Sequence, residues 1–169
     1  LCAYCVFGPR GSFLPFLLSV GAHELGHLLT LRYLHVQVKS IRGTLSGFEI
    51  RTDPLSYRQE ILVAASGPGM NLILCLLTKE TCPIMAIVNT VLLLYNLLPI
   101  YPLDGGRALA CLLAMYLSPP MAAAILRWVT ILCKMSLLFV GCYICFSVQW
   151  GYLPLILSIL LKYLTATYS

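Results

Sequence analysis

Charge is scarce in this chain. Asp and Glu total 6 and Lys and Arg 11 among 169 residues, so 10% of the sequence is charged while 60% is hydrophobic. Mean hydropathy is +0.90. A water-soluble domain of this length cannot hide so much apolar surface, which excludes a soluble globular protein. The net charge of +5 is modest and gives no case for nucleic acid as a partner. Internal repeats and low-complexity tracts are lacking. No basic lead precedes a cleavable apolar core, so a signal peptide of the usual layout is not expected. Histidine is scarce as well, with 3 in all.

Long apolar runs are what the chain does have. Five stretches read as membrane spans: Ser12–Leu31, Ile61–Thr78, Pro83–Leu103, Met135–Trp150 and Tyr152–Leu164. A short apolar helix at Ala108–Leu117 and a Pro119-Pro120 break lie between the third and fourth. Basic residues mark cytoplasmic ends of spans. Arg32, Lys39, Arg42, Arg51 and Arg58 crowd the first connection, which places it in the cytoplasm. Lys79 and Glu80 then fall outside, and Arg107, Arg127, Lys134 and Lys162 inside. The expected fold class is an all-α polytopic membrane protein, one membrane-embedded domain over residues 1–169. Leu1–Phe7 reads as the tail of a further apolar segment, so a truncated start with one more span before it is expected.

Cysteine is plentiful, at 8 residues. Cys2/Cys5 and Cys142/Cys145 have the gap of a metal or redox pair. The second sits among Phe139, Val140 and Phe146, where a thiolate is costly and cysteine packs as a small hydrophobe. The first has no nearby partner pair to complete a zinc knuckle.

Two of the three histidines fall in His23-Glu24-Leu25-Gly26-His27, at the end of an apolar run. Helix positions i and i+4 share a face, so both imidazoles can grip one ion, and Glu24 can reach a water bound to it. Ionisable groups inside a membrane are expensive and mark function. The bland alternative bonds both histidines to helix carbonyls and pairs Glu24 with a lysine, yet no lysine lies within a turn or two. A catalytic zinc site needs a third protein ligand. His35, eight residues past His27, fails the spacing of an extended three-histidine motif. Glu49 and Glu60 suit a thermolysin-like arrangement, but both sit in the polar connection. Asp104 is favoured. Pro99 and Pro102 interrupt the helix before it, and Gly105-Gly106 permits an abrupt turn after it. Unwound backbone at membrane depth is tolerated where it lines a cavity, and the inferred topology puts Asp104 at the depth of the histidines.

The membrane-embedded His-Glu-x-x-His followed by Asn96-Leu97-Leu98-Pro99-Ile100-Tyr101-Pro102-Leu103-Asp104-Gly105-Gly106-Arg107 resembles the site-2 protease family of intramembrane zinc metalloproteases. The order of the second motif is most similar to the branch of the stage IV sporulation protease. The resemblance runs from about Ser12 to Arg107 and includes Ser66-Gly67-Pro68-Gly69-Met70-Asn71. It implies a three-helix catalytic core over residues 12–107, with accessory helices over 108–166, and a multi-pass protein of the bacterial cytoplasmic membrane. No regulatory domain of the kind that follows the core in that branch is read after Leu164.

The resemblance implies hydrolysis of a peptide bond in or near a transmembrane segment of a membrane-protein substrate. One Zn2+, held by His23, His27 and Asp104, would lower the pKa of bound water, and Glu24 would act as general base and then acid. Asn96 would contact the substrate, with an inter-helix hydrogen bond as its plainer role. Gly67-Pro68 and Asn71 read as structural. Val36–Ile41 and Leu45–Ile50 alternate about Gly43-Thr44, the pattern of a hairpin at the membrane face whose edge would hold substrate extended. A solvated basic loop against the lipid bilayer is the equal alternative. Two other classes remain: a metal-ion transporter using the His/Asp cluster as its ion site, and an inactive relative that binds membrane partners. The residues name neither the substrate nor the oligomeric state.

Overall fold

The computed structural model describes residues 13–44 and 47–148. Five helices and one hairpin follow in order: α1 (Phe13–Tyr33), β1 (Val38–Thr44), β2 (Gly47–Thr52), α2 (Tyr57–Thr78), α3 (Pro83–Asn96), α4 (Asp104–Tyr116) and α5 (Pro119–Val148). Helices follow from the medium. An apolar run in lipid finds no water for its N–H and C=O groups and satisfies them within itself. Three of the helices, α1, α2 and α5, are long and apolar enough to cross a membrane.

The packing is inverted relative to a soluble protein. Ser19, His23, Asn71, Asn89 and Asp104 are buried, while Leu14, Leu17, Leu25 and Leu29 on α1 and Leu76 and Leu77 on α2 face outward. On α1 the buried residues Ser19, His23, His27 and Leu31 recur every four positions, one helical face turned inward. Helix α2 is the hub: it packs against α1, α3 and α4, and α4 packs in turn on α5. Gly26 makes the α1–α2 approach possible, because a Cβ there would stand 2.7 Å from the Ser66 carbonyl oxygen.

Local signals set the ends of the elements. Helix α1 closes with backbone bonds from Val36 N to Leu31 O (3.0 Å) and from His35 N to Arg32 O (3.0 Å). His35 sits between them in the left-handed region at φ 54°. This paired closure is a Schellman cap. Helix α2 opens on a capping box, in which the Ser56 hydroxyl accepts from Gln59 N while the Gln59 side chain accepts from Ser56 N.

Four expectations need correction. The third stretch is helical only from Pro83 to Asn96, 14 residues or about 21 Å of rise, too short for the hydrocarbon core. The residue before a proline disfavours α geometry, so the helix stops short of Pro99. The fourth stretch is no separate span: α5 runs 30 residues from Pro119, with Arg127 and Lys134 inside it rather than in a connection. Prolines are tolerated in a first helical turn, so Pro119-Pro120 starts this helix. The hairpin turn also moves. Gly43 and Thr44 are paired strand residues, and Thr44 faces Gly47 across the ladder. Lastly, Gly105 and Gly106 lie within α4, which begins at Asp104 itself. The stretch at Tyr152–Leu164, the Cys2/Cys5 pair and the segment at Leu1–Phe7 lie outside the described residues.

Candidate metal centre

His23 and His27 project from the buried face of α1, one turn apart, with ring centroids 4.8 Å apart and edge to face. Each ring is anchored through Nδ1. The His27 Nδ1–H donates to the Val63 carbonyl at 2.8 Å, and the His23 Nδ1–H donates to Asn71 Oδ1 at 3.1 Å. With the proton on Nδ1, each Nε2 presents a bare lone pair. This is the outer-sphere bonding that fixes tautomer and orientation in metal-binding imidazoles.

Asp104 completes the cluster from α4. The segment between Asn96 and Asp104 is irregular, turned by bonds from Ile100 N to Leu98 O (2.8 Å) and Leu103 N to Ile100 O (2.8 Å), with a cis Tyr101-Pro102 bond. Helix α5 braces it: Thr130 Oγ1 donates to the Pro99 carbonyl at 3.5 Å. The start of α4 then lies against this segment, where a Cβ on Gly105 would stand 2.3 Å from Leu97 O and one on Gly106 2.4 Å from Ile100 C. These glycines serve close approach of backbone to backbone rather than an abrupt turn.

Asp104 Oδ2 lies 3.1 Å from His23 Nε2 and 3.3 Å from His27 Nε2, and the two nitrogens are 3.2 Å apart. All three atoms are acceptors. Asp104 Oδ2 is buried without a hydrogen-bond donor. Such a triangle is repulsive unless a cation fills it. Ligands about 2.0–2.1 Å from a tetrahedral zinc are about 3.3 Å from one another, so these edges fit zinc. Two imidazoles and a carboxylate suit it chemically as well.

Of the two alternative third ligands, Glu60 is engaged elsewhere. Glu60, in the first turn of α2, accepts from Arg107 Nε at 3.0 Å and Nη2 at 2.5 Å. Glu49 belongs to β2, opposite Arg42. His35 caps α1. Glu24 is half-buried on the turn between the two histidines. Asn96 Nδ2 donates to Leu92 O at 3.0 Å within its own helix, so the inter-helix bond weighed for it is not the one formed.

Asn71 does more than tie helices, because its carbonyl orients His23. Gly67 matters for the site too: a Cβ there would stand 2.4 Å from His27 Nε2 and 2.7 Å from His23 Cε1. Their spacing of four on one helix was the available signal. The pairing of Glu60 with Arg107 was missed outright, since nothing in either local sequence points to the other.

No family model matches the chain. Over 106 residues it is 35% identical to a Synechocystis protein whose name assigns it as a zinc metalloprotease, a match spanning 54% of this chain and 28% of that protein. Over 156 residues it is 31% identical to stage IV sporulation protein FB of Bacillus subtilis, spanning 83% of this chain and 52% of that protein. The chain therefore spans about half or less of the length of these curated relatives. The fold is similar to the site-2 protease of Methanocaldococcus jannaschii, with TM-score 0.60, 20% identity and coverage of 88% of this chain and 73% of that one. In its fold, in these relatives and in the two motifs at its buried centre, the chain is similar to the site-2 proteases.

Proposed function

We propose that the chain is an intramembrane zinc metalloprotease that hydrolyses a peptide bond in or near a transmembrane segment of a membrane-associated protein. The observation that carries this reading is the convergence of His23 Nε2, His27 Nε2 and Asp104 Oδ2, with Glu24 next to His23 on α1. His23, His27 and Asp104 would hold one zinc ion. When bound, it supplies Lewis acidity, polarising the scissile carbonyl and making water acidic enough to ionise near neutral pH.

Glu24 takes the proton of the attacking water. Its oxygen bonds to the carbonyl carbon, the C–N bond breaks, and Glu24 returns the proton to the leaving amine. A helical substrate must first be unwound, because its peptide groups are already paired. Among the described residues the β1–β2 hairpin has two strands and an unpaired edge on each, to which an extended substrate can add as a further strand. Asn96, at the end of α3, keeps its carbonyl oxygen for the substrate backbone. The basic connection between α1 and α2 supports a site toward the cytoplasm, in a bacterial cytoplasmic membrane.

The test is Glu24→Gln in the full chain with membrane-protein substrates of the stage IV sporulation type. Cleavage falls by at least about a thousandfold while bound zinc stays near one per chain. Chelation of zinc abolishes cleavage and added zinc restores it. Full cleavage by the variant, or zinc flux across vesicles that Glu24→Gln leaves untouched, removes the protease reading in favour of a transporter.

A further inference from the structure

We propose that Glu60 and Arg107 form one positioning unit that sets the Asp104 carboxylate for its cation. The inference rests on Asp104 as third ligand. Arg107 lies one turn after Asp104 on α4, and Glu60 opens α2. The guanidinium is centred on Glu60, with Nε at 3.0 Å and Nη2 at 2.5 Å from Oε1. Its remaining arm, Nη1, donates to Asp104 Oδ1 at 3.4 Å.

The two oxygens of Asp104 thus have separate tasks. Oδ1 takes the arginine arm, and Oδ2 turns to the imidazoles. The inequality of the distances carries the point. An arginine paired with Asp104 alone would close a two-pronged bond on the carboxylate and compete with the cation for it. Glu60 draws the guanidinium aside. What is left steers the carboxylate without neutralising it. The side chains also grade from 22% and 33% exposed at Glu60 and Arg107 to 8% at Asp104, so the unit reaches from the wetter rim to the dry centre. Here the charges are screened less than on an open surface.

The experiment measures zinc affinity of the full chain in detergent micelles by competition with a chromophoric chelator. It compares wild type, Glu60→Gln, Arg107→Gln, Arg107→Lys, the Glu60→Gln/Arg107→Gln pair, and Asp104→Asn alone and combined with Glu60→Gln or Arg107→Gln. Thermal melting of each zinc-free form runs alongside. Glu60→Gln and Arg107→Gln each weaken zinc by about tenfold or more. The double variant is no weaker than the worse single one, because the two act as a unit. Arg107→Lys recovers only part, lacking the planar fork. In an Asp104→Asn background neither change matters further.

Affinities within about twofold of wild type overturn the inference, and so do effects that multiply. It also falls if the losses persist without Asp104, or if they track lowered melting of the zinc-free forms, which would make the pair a fold staple. A wild-type chain with no zinc affinity dependent on Asp104 instead sinks the functional reading itself.

Discussion

Single atoms decide whether the centre works. The two Nε2 lone pairs face inward only because Val63 O and Asn71 Oδ1 hold the protons on Nδ1. Asn71→Ala should weaken zinc by about tenfold, and Asn71→Asp, which keeps an acceptor, should retain most of the affinity. Gly67→Ala should do worse, since its methyl would meet His27 Nε2 at 2.4 Å in the space the ion needs. Chelator competition on both variants checks this; unchanged affinity for Gly67→Ala would place the ion elsewhere. At this scale the sequence was readable where one helix carries the pattern, as with His23 and His27. Asp104 was reachable because the prolines announce a break that needs a reason. Asn71 against His23 and Arg107 against Glu60 were not, because residues 48 and 47 positions apart meet only through tertiary packing.

At the scale of elements, the interrupted segment between α3 and α4 depends on backbone fitting against backbone. Gly106→Ala should cost about 1–3 kcal/mol through overpacking against Ile100 and Tyr101. It should also loosen zinc by displacing Asp104, two residues away. Thermal melting with and without zinc separates the two: the zinc-induced rise in melting temperature should shrink as well as the baseline fall. Element ends were the least legible feature. Alternation in residues 36–50 announces a hairpin yet says little about where it reverses, and Gly43-Thr44 was an attractive turn that the ladder instead uses as strand. Pro119-Pro120 was read as a break between elements, whereas both prolines fit a helix start and let α5 run uninterrupted through Arg127 and Lys134.

For the whole molecule, the inverted packing assigns leucines to lipid and amides to the interior. The buried Asn89 side chain donates to Ser19 Oγ at 2.8 Å and to Met85 O at 2.8 Å, which binds α3 to α1 where apolar contact gives little preference over lipid. The overall class was plain from hydropathy, because a bilayer permits few solutions. The alternation of charges was a weaker guide once α5 placed two cations within a helix. Its strongest part, the basic connection, yields a direct test. Single cysteines at Asp53 and Lys79, in a background without native cysteine, should react with an impermeant maleimide from opposite faces of the membrane, Asp53 from the cytoplasm. Labelling of both from one side would reverse the orientation or the count of crossings.

The bare backbone of α2 at Gly67 has one more consequence. It lies flat against the imidazole edges, so that flank of the centre is walled off by main chain and has no side chain that could swing away. On the proposed function, a polypeptide reaching the reactive carbonyl position arrives from the flank that α2 leaves uncovered. The route of entry is one-sided, decided by the absence of a single methyl group.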